Sequence, residues 1–247
     1  MPPGTPPESN GFRFWCREGA ARLGIELTGE QLDLFWNYYL FLAGKSKKIS
    51  LTAIKGEKEA ALLHFVDSLS CLLAVSLDGA GRVLDVGTGA GFPGLPVKIA
   101  RPGIDLVLVD SSRKKTAFVA EVIGLLGLEK ARVITGRAEE LAQSQEFRGQ
   151  FAVVLSRAVA PLPVLAELCL GFLKPGGLFV AYKGPAGEAE AANSGNALRA
   201  MGGTLREVKR FDLPFYGYPR LLIVVEKVAP TPPQYPRRAG VPAKRPL

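Results

Sequence analysis

Asp85, Gly87, Gly89, Gly91 and Asp110 have the residue types and spacing to bind a small cationic nucleoside. They fall in the strings RVLDVGTGAGFPG and DLVLVD, where an apolar run ends in a carboxylate and glycines, and a second apolar run ends in another acid. Alternate glycines permit positive φ and let a ligand reach the main chain with no Cβ in the way. A dinucleotide fingerprint, GxGxxG, would need a third glycine where this chain has Phe92. Asp85 at the strand end would repel a pyrophosphate and suits a cationic amino group. An acid about 20 residues beyond the glycines is placed for ribose hydroxyls, and Asp110 meets that requirement. The set predicts S-adenosylmethionine as the cofactor. A nicotinamide-dependent oxidoreductase is the alternative, and a non-catalytic RNA-binding factor with the same fold is a third reading.

Further contacts are expected at the same edge. Ala138 and Glu139 follow the third apolar run, where an acid can accept the adenine amino proton; Glu139 could instead be a helix N-terminal charge. Arg157 ends the fourth run and is read as a ligand contact or a buried ion pair with a carboxylate such as Asp110. The acceptor is narrowed by what is missing. No Asn/Asp-Pro-Pro-Tyr/Phe loop follows the fourth run, and no cysteine sits in a loop after a strand, so amino-adenine and pyrimidine-C5 methylation are disfavoured. A ring nitrogen with an in-plane lone pair, such as guanine N7, needs placement and no base. His64 reads most simply as a half-buried helix residue paired with Asp67 or a backbone carbonyl; its alternative is a group lining the substrate side. No residue is assigned to proton transfer, and Arg157 is given at most a positioning role.

These residues need a scaffold. The runs RVLDV, DLVLV, ARVIT, FAVVL, LFVAY and LLIVV alternate with helical stretches and are apolar enough to be buried on both faces. The fold class expected is α/β: a doubly wound, mostly parallel sheet of Rossmann type over residues 78–228, finished by a hairpin of VKRFDL and RLLIVV. The helix after the second run should face Phe118, Val122, Leu125 and Leu126 inward, with Arg113, Lys114 and Lys115 at its start for RNA phosphates. Residues 1–9 read as disordered and residues 10–77 as a helical annex, with a capping box at Thr28 and Gln31, a break at 44–50, and a helix from Glu57 to about Val75.

Of the net charge of +8, half lies in residues 229–247, which hold four basic residues, no acid and six of the 19 prolines. Such a tail should run extended over the surface. It is either a solvated end or an arm bringing Arg237, Arg238, Lys244 and Arg245 to phosphates, and removing it should leave cofactor affinity unchanged. With 47% apolar and 22% charged residues the chain has the make-up of a globular protein. The longest apolar stretch, 158–173, is interrupted by Glu167 and two prolines, and no signal peptide opens the chain, so a cytoplasmic location without a membrane is expected. Three cysteines without a CxxC pair exclude a disulfide framework and a cysteine metal site, leaving buried free thiols.

Taken together, DVGTGAGFPGLPVKI, LVDSSRKKTAFV, SRAVAPLPVL, LTAI, HFVDSL and the end YPRRAGVPAKRPL resemble the ribosomal RNA small subunit methyltransferase G family, also called glucose-inhibited division protein B. The resemblance implies a class I adenosylmethionine-dependent methyltransferase acting on N7 of a guanosine in bacterial 16S ribosomal RNA, as RNA or in the small ribosomal subunit. It implies cofactor positions at Gly87, Phe92, Asp110, Ser111, Ser112, Ala138, Glu139 and Arg157, with Phe92 beside the cofactor. It departs at Ser50, where the family usually has asparagine. A monomer that needs no metal is expected.

Overall fold

The computed structural model describes residues 11–46 and 56–247. Residues 1–9, Ser50 and the 51–54 string lie outside the described residues. The second N-terminal helix, Gly29–Ser46, continues past Gly44 into the stretch read as a break.

Seven strands make one sheet: β1 (Arg82–Val86), β2 (Asp105–Asp110), β3 (Ala131–Thr135), β4 (Phe151–Arg157), β5 (Leu173–Lys183), β6 (Gly203–Leu213) and β7 (Tyr218–Lys227). Their order is β3-β2-β1-β4-β5-β7-β6, parallel except for β7, which runs antiparallel to β5 and β6. The chain goes outward from β1 to β3 and returns to β4 on the other side of β1. A crevice therefore opens past the carboxyl ends of β1 and β4, the switch point at which such sheets bind ligands.

Successive strand residues face opposite sides. Val83, Leu106, Leu108, Val153 and Leu155 enter one hydrophobic cluster, and Leu84, Val107, Val109 and Val154 enter a second on the other face. The N-terminal helices join the first cluster through Phe12, Cys16, Phe35, Tyr38 and Phe65. Thr28 and Gln31 form the expected box: the Gln31 N–H donates to Thr28 Oγ1 (3.2 Å) and the Thr28 N–H to Gln31 Oε1 (2.9 Å). Gln31 Nε2 then donates to the carbonyls of Ile99 and Ala100, tying this helix to the one behind the glycine loop. The next helical run starts at Glu57, widens to π geometry over Ala61–Val66, and ends in the 3-10 turn Ser70–Leu73. In the helix Arg113–Leu125, Phe118 and Val122 are buried as expected, but Leu125 is 55% exposed. It lies three residues beyond Val122, while the core-facing row continues by fours to Leu126.

Cys16, Cys71 and Cys169 are free and buried, the first two on the annex face and the third on the other. Among the described residues no helix is long and apolar enough to cross a membrane, and no cluster of His, Cys, Asp and Glu could hold a metal.

Candidate functional site

The glycine loop continues β1 and is sewn to β2: the N–H groups of Gly87 and Thr88 both donate to the Val109 carbonyl (2.8 and 3.0 Å). Gly87, Gly89 and Gly91 have φ of 74°, 61° and 97°. At Gly87 a Cβ would collide with the Val159 side chain, whereas at Gly89 it would meet nothing within 4 Å, so the loop is crowded at its root and open at its crest. The helix expected near Phe92 begins at Gly94, whose N–H donates to Asp85 Oδ2 (2.9 Å).

Asp110 closes the cradle. Its Oδ2 accepts from the Gly89 N–H (3.0 Å) and its Oδ1 from the Ser112 N–H (2.9 Å), with Lys115 Nζ 3.9 Å away. Asp85 differs from expectation: it lies wholly buried beneath the loop and lines neither cleft described below. One of its oxygens also accepts from Thr88 Oγ1 (2.6 Å), and Oδ1 is buried with no hydrogen-bond partner. Burial pushes its pKa up to about 6, opposed by the bonds from Thr88 and Gly94 and by the charge of Arg157.

Two clefts share the wall Ala158–Ala160 at the strand ends. The smaller, about 380 Å³, is lined by Gly87, Asp110, Ser111, Lys115, Ala138 and Glu139 among the residues singled out in the sequence. The larger, about 700 Å³, is lined by His64, Asp67, Arg157, Tyr182, Lys183 and Arg220. Gly89, Gly91, Phe92 and Ser112 support the first cleft without lining it.

Three expectations need correction. Arg157 pairs with Asp67 (2.8 Å) and not with Asp110, because the π-helical run brings the annex carboxylate over the end of β4; Arg220 Nε holds the other Asp67 oxygen at 3.2 Å. Phe92 stacks on Tyr38 (5.1 Å between centroids, 9°) and on His64 (4.7 Å, 16°), so its faces serve the joint between annex and glycine loop. Tyr38 donates its hydroxyl to the Ala90 carbonyl in the same loop. His64 is a half-buried residue of the helical run, as the simpler reading has it, and it also lines the larger cleft; burial with the charge of Arg157 lowers its pKa to about 3.

The tail supplies the third correction. It does not run free: Arg237 bonds through Nε and Nη2 to the buried Glu167 carboxylate (2.6 to 3.1 Å), and Val241–Lys244 makes one helical turn. Glu139 Oε1 accepts from the Gly240 N–H (2.9 Å), a partner the sequence reading did not include. Arg113, Lys114, Arg238, Lys244 and Arg245 remain exposed. Tyr38, Asp67, Arg220 and Glu167 were not assigned site roles. The one signal for Glu167 was a single acid in the otherwise apolar LPVLAELC, which requires a partner if buried.

Known proteins share this architecture. An O-methyltransferase from Bacillus cereus, solved in complex with SAH, superposes with a TM-score of 0.58 at 16% identity, covering 87% of this chain and 100% of that one, a likeness of fold. Two proteins named ribosomal RNA small subunit methyltransferase G are much closer in sequence. The one from Pelotomaculum thermopropionicum is 48% identical over 94% of this chain and 97% of its own length. The one from Deinococcus radiodurans is 48% identical over 95% and 92%. The sequence model of GidB, rRNA small subunit methyltransferase G, matches residues 31–214. The chain belongs to the rRNA small subunit methyltransferase G family.

Proposed function

We propose that the protein transfers a methyl group from S-adenosylmethionine to N7 of a guanosine in 16S ribosomal RNA, in the cytoplasm and as a monomer, with the RNA or the small ribosomal subunit as substrate. The observation that carries this reading is the division of the strand-end crevice into two clefts by the shared wall Ala158–Ala160. One cleft suits a nucleoside cofactor, and the other suits a base from a polyanion.

The residues fit the cofactor. The loop has no room for a Cβ at Gly87 and is open at Gly89. Each Asp110 oxygen accepts one backbone N–H, leaving a lone pair on each for a ribose diol. Asp85 places an uncompensated oxygen beneath the loop, favourable to a cation above it. Main chain at Gly87, Gly89 and Gly91, Asp110 with Ser111 and Ser112, and Ala138 with Glu139 would hold the cofactor, while Phe92 and Arg157 brace its surroundings. Bound there, S-adenosylmethionine supplies a methyl group activated by a sulfonium.

In the second cleft, Asp67 offsets the charge of Arg157, so that the guanidinium does not oppose a neighbouring sulfonium. His64, with a pKa near 3, is a poor base at neutral pH, and attack by N7 releases no proton. Lys115 and the exposed Arg113, Lys114, Arg238, Lys244 and Arg245 would hold phosphates. Nothing in the site favours the nicotinamide or the non-catalytic reading.

Methylation at N7 weakens the glycosidic bond, so borohydride reduction and aniline should cut 16S RNA at one guanosine only after incubation with enzyme and cofactor. Label transfer without that cleavage would move the methyl to another atom.

A further inference from the structure

We propose that the C-terminal turn, residues 237–244, is a wall of the cofactor cleft that orients Glu139 toward the purine of the cofactor, and that Glu167 positions this wall through Arg237. The proposal rests on the reading of that cleft as the cofactor site. It reverses the expectation that the tail can be removed without effect on cofactor affinity.

Gly240 and Ala243 line the cleft together with Asp110, Ser111 and Glu139. Gly240 has a φ of 80°, which turns its N–H onto Glu139 Oε1 at 2.9 Å. That bond fixes one carboxylate oxygen and so sets the direction of the other, the atom available to accept from a purine amino group. Val164 and Leu168 from the helix Leu162–Cys169 supply apolar lining suited to a flat ring.

The anchor is unusually complete. Glu167 has a side chain 1% exposed, and it accepts the Arg237 backbone N–H (2.7 Å), Nε (2.9 and 3.1 Å) and Nη2 (2.6 Å). Arg237 Nη2 also donates to the Arg245 carbonyl (2.8 Å), which closes the turn on itself. Upstream, Arg148 donates to the carbonyls of Thr231 (2.7 Å), Pro232 (3.0 Å) and Tyr235 (2.8 Å). A buried carboxylate left without its cation is costly, so Glu167 favours the docked turn over a free one.

The test uses full-length protein, calorimetric affinities for S-adenosylhomocysteine and for S-inosylhomocysteine, which lacks the purine amino group, and thermal melts to establish folding. Arg237→Ala should weaken S-adenosylhomocysteine tenfold or more and S-inosylhomocysteine no more than about threefold, with Arg237→Lys intermediate. A merely structural role would weaken both ligands alike, and that result overturns the orientation of Glu139. Ala243→Trp, at an exposed position, keeps the question open to refutation should Arg237→Ala not fold: it should fill the cleft and weaken both ligands tenfold or more, and normal affinity would remove the turn from the cleft. Asp110→Ala separates the failures. Loss there with unchanged affinity in folded Arg237→Ala and Ala243→Trp sinks the wall alone, whereas no loss in any of the three sinks the cofactor site itself.

Discussion

The annex and the tail reach the same crevice from opposite faces of the sheet and are held by different forces. The annex is fixed by burial: Phe12, Phe35, Tyr38 and Phe65 are each no more than 1% exposed and share a cluster with the sheet. The tail is fixed mainly by directed bonds from Arg148, Arg237 and Gly240, with Tyr235 and Leu247 partly buried against the opposite cluster and the small rings of Pro236 and Pro242 buried. Apolar burial is strong and non-directional, so it sets stability. Charge-assisted hydrogen bonds are short and directional, so they set geometry. The comparison predicts that annex changes act first on folding and tail changes first on ligand discrimination.

The largest effect should come from Phe65→Ala, which removes a fully buried ring in edge contact with Phe12 and Phe92. Loss of such a side chain costs about 3–5 kcal/mol, read in denaturant unfolding. A cost below about 1 kcal/mol would show that the annex is not part of the core that it shares with the sheet.

Next in size is Asp67→Asn, which keeps the shape and removes the charge between Arg157 and Arg220. Charge-assisted bonds are worth about 1.5–3 kcal/mol, so stability should fall by that order, and the rate of methyl transfer at saturating cofactor should fall with it. A stability loss with an unchanged rate would make this pair a piece of annex packing only.

A smaller effect is expected from pH. The pKa of Asp85 is raised from 3.8 to about 6, so the folded protein holds a proton that the unfolded chain releases between pH 4 and 6. This group alone makes stability fall as pH rises through that window. His64 acts oppositely: with its pKa lowered from 6.5 to about 3, stability is lost as pH falls from 6.5 to about 3, a window that contains that of Asp85. The two slopes oppose, so ligand affinity gives the clearer signal. A cation above the loop favours ionised Asp85, and cofactor affinity should weaken below pH 6, by at most about tenfold per unit. Constant affinity from pH 7 to 5 would place the cationic group away from Asp85.

The smallest effect belongs to the exposed tail cations. Arg237 is taken by Glu167, so replacing Arg238, Lys244 and Arg245 with alanine removes at most three phosphate contacts. The slope of log RNA affinity against log salt should then fall by roughly 2–3, with cofactor affinity retained. An unchanged slope would leave these residues as solvated charge.

How much of this was legible follows from the range of each interaction. All six apolar runs became strands, and five of them are buried on both faces, which leaves a local signature. ARVIT, expected to be buried likewise, is the edge strand β3 and has no fully buried residue, because only one neighbour covers it. β6 was longer than VKRFDL suggested, since an edge strand reading GTLREVKRFDL is mostly exposed and lacks that signature. The glycine loop and Asp110 were legible from spacing along one βαβ unit. The partners of Arg157, Arg237 and Gly240 were not: they lie 90, 70 and 101 residues away, and a polar pair leaves no periodic trace. The aromatic stack of Tyr38, Phe92 and His64 was hidden for the same reason, each ring coming from a different segment.

The three thiols give the two faces of the sheet built-in clocks. Cys16, Cys71 and Cys169 are all 0% exposed, and burial raises each pKa, that of Cys71 to about 12. A thiol so placed reacts only while its surroundings are open and its proton can leave. Alkylation of Cys16 and Cys71 therefore times the opening of the annex layer, and alkylation of Cys169 times the layer beneath the tail. One mass-spectrometric time course on the unlabelled, unmutated chain would separate the motions of the two layers.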